Sequence, residues 1–408
     1  MFAGEATSSE EPTVLAMPDY RESNPYQAAL ATALEGEGVD IRTVDGRGLV
    51  APVTRAVLAA GRPSVLHIHF LAPYMVVENE RAESLGLAEL LSVLLGVRLL
   101  VDLAVASVLT ERLVWTAHDL RNHKGRALGT ERALKHLFVR LLCDAVVVHC
   151  DRAKDVLVET FSLPAGTKRK MWTVPHGSFL DDYPDETTRS AAREALDLPA
   201  DATVLLFFGW IRAYKNVPEL IETFAELDHE DARLVVAGNP RTDDIARQVR
   251  DAAADDDRVD LTLEFVPDDE VQTYMRAADV VTLPFETEEQ SLLTSGSVLL
   301  AMGFERAVVA PRLGCVGELL AAERPPLEPH RDAFEARTTD RVLTDGGATG
   351  VRRVAGGVVY ERTSELGEAL RTALDADLGS MGARNRSYAE ALRWDAIAAR
   401  TRAVYLDE

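Results

Sequence analysis

The chain contains 408 residues, of which 47% are hydrophobic and 27% are charged, a balance that is typical of globular proteins and excludes a disordered or fibrous chain. A single hydrophobic core stops growing at roughly 250–300 residues, so the length predicts two domains. The formal net charge of −22 repels nucleic acid and anionic lipid, which argues against a nucleic-acid partner.

Arginine outnumbers lysine 38 to six, and acidic residues outnumber basic ones 66 to 44. This balance resembles that of proteins from salt-loving microbes, although simple solubility explains the same charge. The first residues lack the basic start and the apolar core of a secretory signal, which predicts a cytoplasmic protein.

Short apolar runs alternate with helical patterns, which predicts parallel sheets with helices on both faces. In the first half the predicted helices cover 26–34 and 151–161, and the predicted strands cover 14–18, 39–44, 64–70, 112–118, 144–150 and 170–179. In the second half the predicted strands cover 203–209, 233–238, 261–266, 279–284, 307–311 and 356–360. The predicted fold class is therefore α/β, with two doubly wound Rossmann-like domains in series.

The segment 197–203 has the composition of a linker, so the domain boundary is predicted there. The first domain is predicted to span 13–198 and the second to span 202–385. The segment 321–355 is rich in charge, Pro and Gly and is too long for an ordinary connection, which predicts an exposed insertion in the second domain.

The segment 87–109 is apolar and long enough to cross a bilayer. Glu89, Arg98 and Asp102 interrupt it, and a charged side chain is costly at the bilayer centre. A core helix, a helix attached to the membrane interface and a transmembrane helix are the three interpretations. The sequence favours the core helix over the other two, and peripheral membrane contact is the second choice.

The first candidate site follows the first strand, because ligands of open α/β sheets bind at the carboxyl ends of strands. This loop carries Asn24 and Tyr26 and lacks the GxGxxG fingerprint, which argues against a dinucleotide oxidoreductase. Asn24 is predicted either to line a cleft or simply to cap the following helix.

The second candidate is the loop TAHDLRNHKG, which covers 116–125 directly after a strand. It carries His118, Asp119 and His123, and a histidine can donate a hydrogen bond to a ligand or transfer a proton near neutral pH. The alternative is a capped loop with incidental histidines. The histidine spacings match no compact ligand set such as HExxH, so no metal site is predicted.

The other histidines near strand ends carry weaker signals. His67, His69 and His149 are predicted mainly as core or strand-end residues.

In the third candidate, VPHGSF, His176 and Gly177 end a strand just before the predicted boundary. This loop is predicted to form a hinge or a wall of the cleft, and a purely structural turn is the alternative.

The segment FFGWIRAYKNVPELIETF, residues 207–224, carries the strongest local signal. An apolar run stops at Gly209, Arg212 and Lys215 follow three residues apart, and a helical pattern begins near Pro218. A glycine turn before a helix start lets backbone N–H groups approach an anion, and the helix dipole favours its charge. The alternative is an ordinary strand-to-helix turn with solvated cations.

A second helix start follows the strand that ends at Pro284. After an acidic loop that includes Glu286, an apolar helix opens with four small residues, namely Thr294, Ser295, Gly296 and Ser297. Their N–H groups and hydroxyls can bind an anion. Together with Arg212 and Lys215 they would hold a diphosphate from two sides, whereas an ordinary Ser/Thr helix cap is the alternative.

Four segments in this order resemble the GT-B glycosyltransferases, most closely the retaining group that includes family 4: TAHDLRNHKG, VPHGSF, FFGWIRAYKNVPELIETF and LLTSGSVLLAMGFERAVVAPRLGCVGEL. The similarity continues through GGVVYERTSELGEAL to a terminal stretch with Trp394 and Tyr405, so it covers nearly the whole chain. The resemblance implies GT-B architecture with an interdomain cleft and a C-terminal helix, 386–406, that crosses back to the first domain.

The resemblance also implies an activity: transfer of a hexose from a UDP- or GDP-sugar to a glycan or lipid-linked acceptor, with retention and without a metal or other cofactor. Arg212 and Lys215 match the diphosphate-binding pair, and His118 matches the histidine near the transferred sugar. The implied donor-binding residues are Gly209, Arg212, Lys215, Glu286, Thr294, Ser295, Gly296 and Ser297. The implied acceptor or cleft residues are Asn24, Tyr26, Asp119, His123, His176 and Gly177.

The chemistry of such a transfer fits these residue types. Negative charge grows on the leaving diphosphate as the glycosidic bond breaks, and fixed cations and helix N–H groups stabilise that charge. The sugar becomes oxocarbenium-like at the same time.

The sequence departs from the family pattern at two places. Spacing from Ala301 puts the two acids of the family's Glu-x7-Glu element at Leu292 and Leu300, so both are absent, and TSGS stands there as in a side branch of the group. NPY replaces the glycine-rich loop of the first domain. Two other interpretations therefore stay open: a non-catalytic GT-B subunit that binds a partner or glycan, and a nucleotide-sugar epimerase of the same fold.

Overall fold

The computed structural model describes residues 11–77, 83–84, 86–122, 124–287, 294–325, 327 and 350–408. The chain forms two compact units. The first contains the chain up to Pro175 together with Trp394–Glu408, and the second contains His176–Pro325 together with the described residues 350–393.

The first unit is built on a parallel sheet. Its strands are β1 Thr13–Met17, β2 Asp40–Thr43, β3 Val65–Ile68, β4 Arg112–Thr116, β5 Ala145–Val148 and β6 Met171–Thr173. They lie in the order β2-β1-β3-β4-β5-β6, and every pairing is parallel. The helices are α1 Pro25–Gly36, α2 Pro52–Ala59, α3 Ala88–Ser107, α4 Leu128–Leu137 and α5 Asp151–Thr160. Short turns of 3-10 helix lie at Ala72–Tyr74 and Ala165–Lys170, and a π-helical turn at Phe138–Leu142 follows α4.

The second unit repeats this plan with an added antiparallel edge. Its strands are β7 Thr203–Phe208, β8 Ala232–Ala237, β9 Val259–Thr262, β10 Val280–Thr282, β11 Ala307–Pro311, β12 Arg352–Val354 and β13 Gly357–Tyr360. They lie in the order β12-β13-β11-β10-β7-β8-β9, and β12 is antiparallel to β13. The helices are α6 Arg189–Ala195, α7 Val217–Ala225, α8 Asp243–Ala253, α9 Val271–Ala277, α10 Gly296–Gly303, α11 Val316–Ala321, α12 Leu366–Leu374 and α13 Leu378–Ala391. The last helix, α14 Trp394–Leu406, belongs to the first unit.

The central strands are buried, which explains their apolar sequences. Every residue of β3 and β5 is buried, and so is every residue of β4 except Arg112. Strands of parallel sheets read as continuous apolar runs because both faces are covered. The register pairs Ile68 with Trp115 and Thr116 with Val147, so the residues that follow β3, β4 and β5 meet at one carboxyl edge.

The C-terminal part of the chain differs from the single helix predicted over 386–406. Two helices, α13 and α14, occupy this region, and they belong to different units. Asn385 holds α13 in the second unit, because its side-chain amide donates to the carbonyl oxygens of Arg306 at 2.9 Å and Gly356 at 2.8 Å. In the first unit α14 packs against α1, and the Nε of Arg400 donates to the carbonyl oxygen of Thr173 at 2.6 Å.

The unit boundary lies earlier than the linker predicted at 197–203. The chain divides after Pro175, and α6 packs against α9 in the second unit. Arg193 of α6 explains this, because its guanidinium donates to the carbonyl oxygens of Ala200 and Ala202 and pairs with Asp279 at 2.8 Å. A buried arginine therefore fixes the apparent linker to the second unit.

Two further predictions in the second unit need correction. The strand predicted at 261–266 lies at 259–262, and Phe265 beyond it is 62% exposed. Within the insertion predicted at 321–355, Ala321 is buried at the end of α11 and residues 352–354 form β12, so both ends of this segment belong to the fold. Residues 326 and 328–349 lie outside the described residues.

Helix α3 occupies most of the predicted segment 87–109. By length and composition it is the one helix in the described part of the chain that could cross a membrane. Only 33% of its most apolar 18-residue stretch is buried. Its buried face carries Leu99, Leu103 and Ala106, while its exposed face is also apolar. An ordinary core helix would explain the buried apolar face of α3 but not its exposed apolar face.

Candidate active site

Two glycines shape the turn that follows β7 in the second unit. Gly209 has a φ of 116°, a left-handed value that L side chains rarely adopt. A Cβ on Gly238 would lie 1.9 Å from the carbonyl oxygen of Gly209, so only glycine fits beside that carbonyl. The chain then enters α7 through a 3-10 turn, Ala213–Lys215. This path brings Arg212 and Lys215 to the carboxyl edge of the second sheet.

Lys215 is a buried cation. Its residue exposure is 9%, and its Nζ lies 5.7 Å from the ring centroid of Phe207 and 5.8 Å from that of Phe285. Burial, and secondarily the charge of Arg212, lowers the pKa of Lys215 to about 8. Within the described residues Lys215 has no ion-pair partner. A bound anion would therefore offset the cost of holding this charge away from water.

Helix α10 begins next to the same lysine. A Cβ on Gly209 would lie 3.5 Å from Lys215 Nζ and 3.5 Å from Ser297 Oγ, so these two polar atoms flank the glycine turn. Ser295 is the N-cap residue of α10, yet its side chain makes no capping hydrogen bond. Thr294 Oγ1 is buried and has no hydrogen-bond partner in the described part of the chain. The alternative prediction of an ordinary Ser/Thr cap at this helix start is therefore wrong.

Arg212 and Glu286 lie at the rim of this group. Both are exposed, and the backbone N–H of Glu286 donates to the carbonyl oxygen of Tyr214 at 2.9 Å. The rings of Tyr214 and Phe285 also lie 6.2 Å apart. The acidic loop is therefore tied to the turn that carries both cations. At the helix start, Gly296 faces the ring of Phe179, where a Cβ would make an ordinary contact at 3.6 Å.

In the first unit the carboxyl edge of the sheet holds a cluster of aromatic rings around His118. His69 Nδ1 lies 3.4 Å from His118 Nε2, and the two ring planes are 24° apart. The Phe70 ring stacks on His118 at 4.7 Å, and the Tyr26 ring meets it edge-on at 5.1 Å. The ring of His149 lies 5.4 Å from that of His118.

A hydrogen-bonded histidine lies deeper in the same cluster. His67 Nδ1 is 2.7 Å from Tyr405 Oη, and His67 Nε2 is 2.7 Å from Thr116 Oγ1. Burial is the main cause of a lowered pKa at all three buried histidines of this cluster. The pKa of His67 falls to about 3, that of His69 falls well below its ordinary value, and that of His149 is also lowered. These three imidazoles are therefore neutral at physiological pH.

Asn24 and Tyr26 have different roles in this unit. Asn24 is the N-cap residue of α1, and its side-chain oxygen accepts a hydrogen bond from the backbone N–H of Tyr26 at 3.1 Å. The capping interpretation of Asn24 is thus the one the structure contains. Tyr26 is buried and contacts Trp394 of α14 edge-on at 5.5 Å.

The remaining predicted residues do not form one group. Asp119 lines the same cavity as His69 and His118 in the first unit. His176 and Gly177 belong to the second unit, where His176 Nδ1 lies 2.7 Å from the carbonyl oxygen of Gly177. His123 lies outside the described residues.

The prediction that His69 and His149 are core or strand-end residues is confirmed. Both are buried, as expected of core residues, but both also contact the aromatic cluster around His118. The signal that could have grouped them is positional, because each follows a strand of the same parallel sheet, and such ends share one edge.

The two groups of residues can do different chemistry. The second unit offers a buried cation, hydroxyls and a helix start, which suit an anion such as a diphosphate. The first unit offers neutral imidazoles and aromatic faces, which suit hydrogen bonding to an uncharged ligand. In the ranges that the structure describes, no three His, Cys, Asp or Glu residues are grouped as a metal site would require.

Comparison with known proteins gives a family match for part of the chain. Residues 202–337 match the family described as "Glycosyl transferases group 1". The chain is 30% identical over 302 residues to a D-inositol 3-phosphate glycosyltransferase of Kineococcus radiotolerans. This alignment covers 70% of this chain and 61% of the relative. It is 30% identical over 139 residues to a GDP-mannose:glycolipid 4-beta-D-mannosyltransferase of Xanthomonas campestris pv. campestris, which covers 34% of this chain and 36% of that protein. The chain therefore spans less than two thirds of the length of these relatives.

A solved structure supports the fold over nearly the whole chain. The Anabaena protein HepE in complex with UDP-glucose has a TM-score of 0.58 and 14% sequence identity, and the match covers 96% of this chain and 98% of that one. At this level of identity the likeness establishes the fold alone. The prediction of an α/β fold with two doubly wound sheets in the GT-B manner is confirmed.

Proposed function

We propose that the chain transfers a hexose from a nucleotide diphosphate sugar to a glycan or lipid-linked acceptor, because residues 202–337 match the family described as "Glycosyl transferases group 1". The proposed donor is a UDP- or GDP-sugar. The name of the Xanthomonas relative specifies GDP-mannose and a glycolipid, and the Anabaena structure contains UDP-glucose. These names support the donor and acceptor classes.

The observation that carries the proposal is the arrangement around Gly209. Lys215 Nζ and Ser297 Oγ both flank this glycine, and Arg212 lies on the same turn. As the donor's glycosidic bond breaks, its electron pair stays with the oxygen of the leaving diphosphate. Cations and helix N–H groups that are already fixed stabilise that charge without reorganisation. In this proposal Arg212 and Lys215 bind the diphosphate, and residues 294–297 bind it from the helix start.

The stereochemical outcome and the metal requirement belong to the proposal as well. The resemblance to family 4 supports retention, and the pair Arg212 and Lys215 supports transfer without a metal, because two cations can balance the leaving diphosphate. Addition of EDTA is expected to leave the rate unchanged, and proton NMR of the product is expected to give the anomeric configuration of the donor.

His118 is the proposed contact to the transferred sugar, and Tyr26 and Asp119 are proposed to line the acceptor side of the same unit. The neutral histidines around His118 support a role in hydrogen bonding rather than in charge balance. A neutral imidazole can donate one hydrogen bond and accept another, which suits sugar hydroxyls.

The experiment that tests the function is incubation of the full chain with a panel of UDP- and GDP-sugars, with and without glycan and lipid-linked acceptors. Release of UDP or GDP that depends on an acceptor and is lost in His118→Ala supports a transferase. A converted nucleotide sugar without an acceptor would identify an epimerase. Binding of a glycan or protein without any turnover would identify the non-catalytic subunit.

A peripheral membrane contact is proposed for α3. Six aliphatic side chains on or next to this helix are between 47% and 83% exposed, namely Leu90, Leu94, Val97, Val101, Val105 and the adjoining Val108. Arg98 does not interrupt this face, because its guanidinium donates to the carbonyl oxygens of Gly48 and Leu49 at 2.6 and 3.1 Å. An apolar helix face that lies in the bilayer interface would suit an enzyme with a lipid-linked acceptor at the cytoplasmic side of a membrane.

Flotation with neutral phosphatidylcholine vesicles at high salt tests this contact, because the acidic chain has little electrostatic attraction to lipid. The wild-type chain is expected to float, and Leu94→Gln/Val101→Gln is expected to stay in the soluble fraction. Phe265→Gln is the control, since Phe265 is equally exposed and apolar but lies in the second unit. A wild-type chain that stays fully soluble would contradict the membrane contact.

A further inference from the structure

A buried ion pair on α4 lies under the loop that follows β4. Lys135 Nζ is 2.8 Å from Glu131 Oε1, and the two side chains are 4% and 2% exposed. Removing two charges from water is costly, so a buried pair adds little net stability compared with apolar residues of the same size. Stability alone therefore does not account for this pair.

The pair binds the loop through its backbone. Lys135 Nζ donates to the carbonyl oxygens of Asp119 and Leu120, both at 3.0 Å. Glu131 Oε2 accepts hydrogen bonds from the backbone N–H of Asn122 at 3.0 Å and from its side-chain amide at 2.6 Å. Together with Glu131, the two carbonyl groups use all three protons of the ammonium group. Three of the four residues in 119–122 are thus fixed by one pair.

The inward carbonyl groups explain why a hydrogen-bond donor is needed here. A buried backbone carbonyl requires a hydrogen-bond donor, and Lys135 supplies one for two neighbouring carbonyls. The ammonium group also lies over two rings, 5.9 Å from the centroid of Trp115 and 5.5 Å from that of Phe161. Trp115 is in β4, three residues before His118, so the lysine contacts the chain on both sides of this histidine.

The loop held in this way borders a cavity at the carboxyl edge of the first sheet. His69, Phe70, His118 and Asp119 line this cavity together with the ion pair itself. A shift of the carbonyl groups at Asp119 and Leu120 would carry the backbone of His118 with it. The His118 ring would then lose its alignment with Phe70 and His69.

We propose that Glu131 and Lys135 are positioning residues, which hold the 118–122 loop so that His118 meets the transferred sugar. This inference rests on the proposed function, since it assigns the pair a role in the same reaction. Neither side chain touches the substrate in this account. A misplacement of about 1 Å in such a group can cost on the order of 100-fold in rate.

The test is the double variant Glu131→Gln/Lys135→Met, which removes both charges at similar side-chain volume. We expect a folded protein whose kcat is lower by about 100-fold. The KM for the donor is expected to stay unchanged, because the proposed donor cations belong to the other unit. Hydrogen exchange at the amides of 119–122 is expected to be faster than in the wild-type protein.

The matched control is the double variant Arg193→Met/Asp279→Asn. This pair is also buried, with side chains 3% and 16% exposed and 2.8 Å between Nη2 and Oδ2, and Arg193 also donates to backbone carbonyl groups. It belongs to the second unit, with Asp279 directly before the start of β10, whereas 118–122 belongs to the first unit. The control is expected to lose stability but to keep kcat and the exchange of 119–122 unchanged.

Conservative substitution gives a second measurement. Lys135→Arg keeps a cation that can donate to the same three oxygens, so its kcat is expected to exceed that of the double variant by about tenfold or more. If the double variant does not fold, Glu131→Gln decides, because it keeps an acceptor for Asn122 but removes the charge that fixes Lys135.

Unchanged kcat together with unchanged exchange of 119–122 in the deciding variant would overturn the proposal. A kcat that falls no further than in the control would do the same. If the wild-type chain transfers no sugar from any donor, the proposed function fails. The exchange comparison then still decides whether the pair holds the loop.

Discussion

The carboxyl edges of the two sheets carry opposite chemistry on similar scaffolds. The second unit places the buried ammonium group of Lys215 beside a glycine turn and the start of α10. The first unit places neutral imidazoles and aromatic rings around His118. The strands are alike, so the difference resides in the loops that follow them, as is usual where one fold supports several functions.

Burial acts in the same direction in both units but has different consequences at pH 7. It favours the uncharged form of each group, so it lowers the pKa of Lys215 to about 8 and that of His67 to about 3. Lys215 still carries its charge at pH 7, whereas His67 does not. The same physical effect therefore leaves a cation in one unit and a neutral hydrogen-bonding cluster in the other.

The largest expected difference between the two units is the loss of stability of the first unit in acid. An unfolded histidine binds a proton below its ordinary pKa, whereas folded His67 stays neutral down to about pH 3, so the stability of the first unit falls as the pH drops below about 6.5. The slope from His67 alone is about 1.4 kcal/mol per pH unit over this window. Three of the four tryptophans, Trp115, Trp172 and Trp394, lie in the first unit, so tryptophan fluorescence during an acid titration reports its unfolding.

Two variants test this assignment. His67→Gln removes the titrating group, so its unfolding free energy should fall less steeply between pH 6.5 and pH 4 than that of the wild-type protein. His229→Gln, at a partly exposed position of the second unit, should leave the slope unchanged. Equal slopes in wild type and His67→Gln would show that His67 does not set the acid sensitivity.

Removal of the cation tests the second unit. Lys215→Ala is expected to lower kcat on the order of 100-fold or more, because the growing charge on the diphosphate loses its buried partner. Lys168→Ala is the control, since Lys168 is an exposed lysine of the first unit that pairs with Asp155. Steady-state assays of UDP or GDP release give the comparison. Full activity in Lys215→Ala would contradict the phosphate role.

The charge state of Lys215 gives a smaller and continuous effect. The ammonium group is present below pH 8 and is lost above it, so the affinity for UDP should weaken by up to about tenfold per pH unit once the pH rises beyond the pKa of Lys215. Isothermal titration calorimetry between pH 7 and pH 10 measures this change. Lys215→Arg keeps its charge over this range and should give a flatter profile. If wild type and Lys215→Arg gave parallel pH profiles of UDP affinity, Lys215 would not be part of the UDP-binding site.

The smallest expected effect concerns the hydrogen bond between His67 and Tyr405. Tyr405→Phe removes the phenol group but keeps the ring in place, so the unfolding free energy should fall by about 1–3 kcal/mol. Tyr214→Phe, at an exposed position of the second unit, should have no measurable effect. Chemical denaturation followed by tryptophan fluorescence measures both. No loss in Tyr405→Phe would mean that this buried pair adds nothing to the first unit.

The sequence predicted both ends of one buried strand, β11, and misplaced the partly buried strand β9. The strand predicted at 307–311 lies at Ala307–Pro311, where every residue is buried, so the apolar run and the strand have the same ends. β9 lies at the edge of its sheet and is only partly buried, which explains why its apolar pattern indicated 261–266 instead of 259–262. An apolar run marks a strand only as far as burial requires apolar side chains.

Other features depended on contacts between distant residues, which a local pattern does not contain. The unit boundary was misplaced because Arg193 binds Asp279, a residue 86 positions away. The loop motifs around His118 and Lys215 were located from the sequence, since each directly follows an apolar strand. The partners of His118, and the ion pair beneath its loop, become visible only when β3, β4 and α4 are brought together.

The helix α14 affects the order in which the protein can fold during synthesis. Tyr405 leaves the ribosome 338 residues after His67, and the whole second unit is made between them. The first sheet therefore emerges with its buried histidine still lacking the phenol partner, while the second unit can already fold. A released chain that is truncated after Arg393 should hold a complete second unit and an unfinished first one. Translation speed and chaperone contact would then act mainly on the part of the chain that was made first.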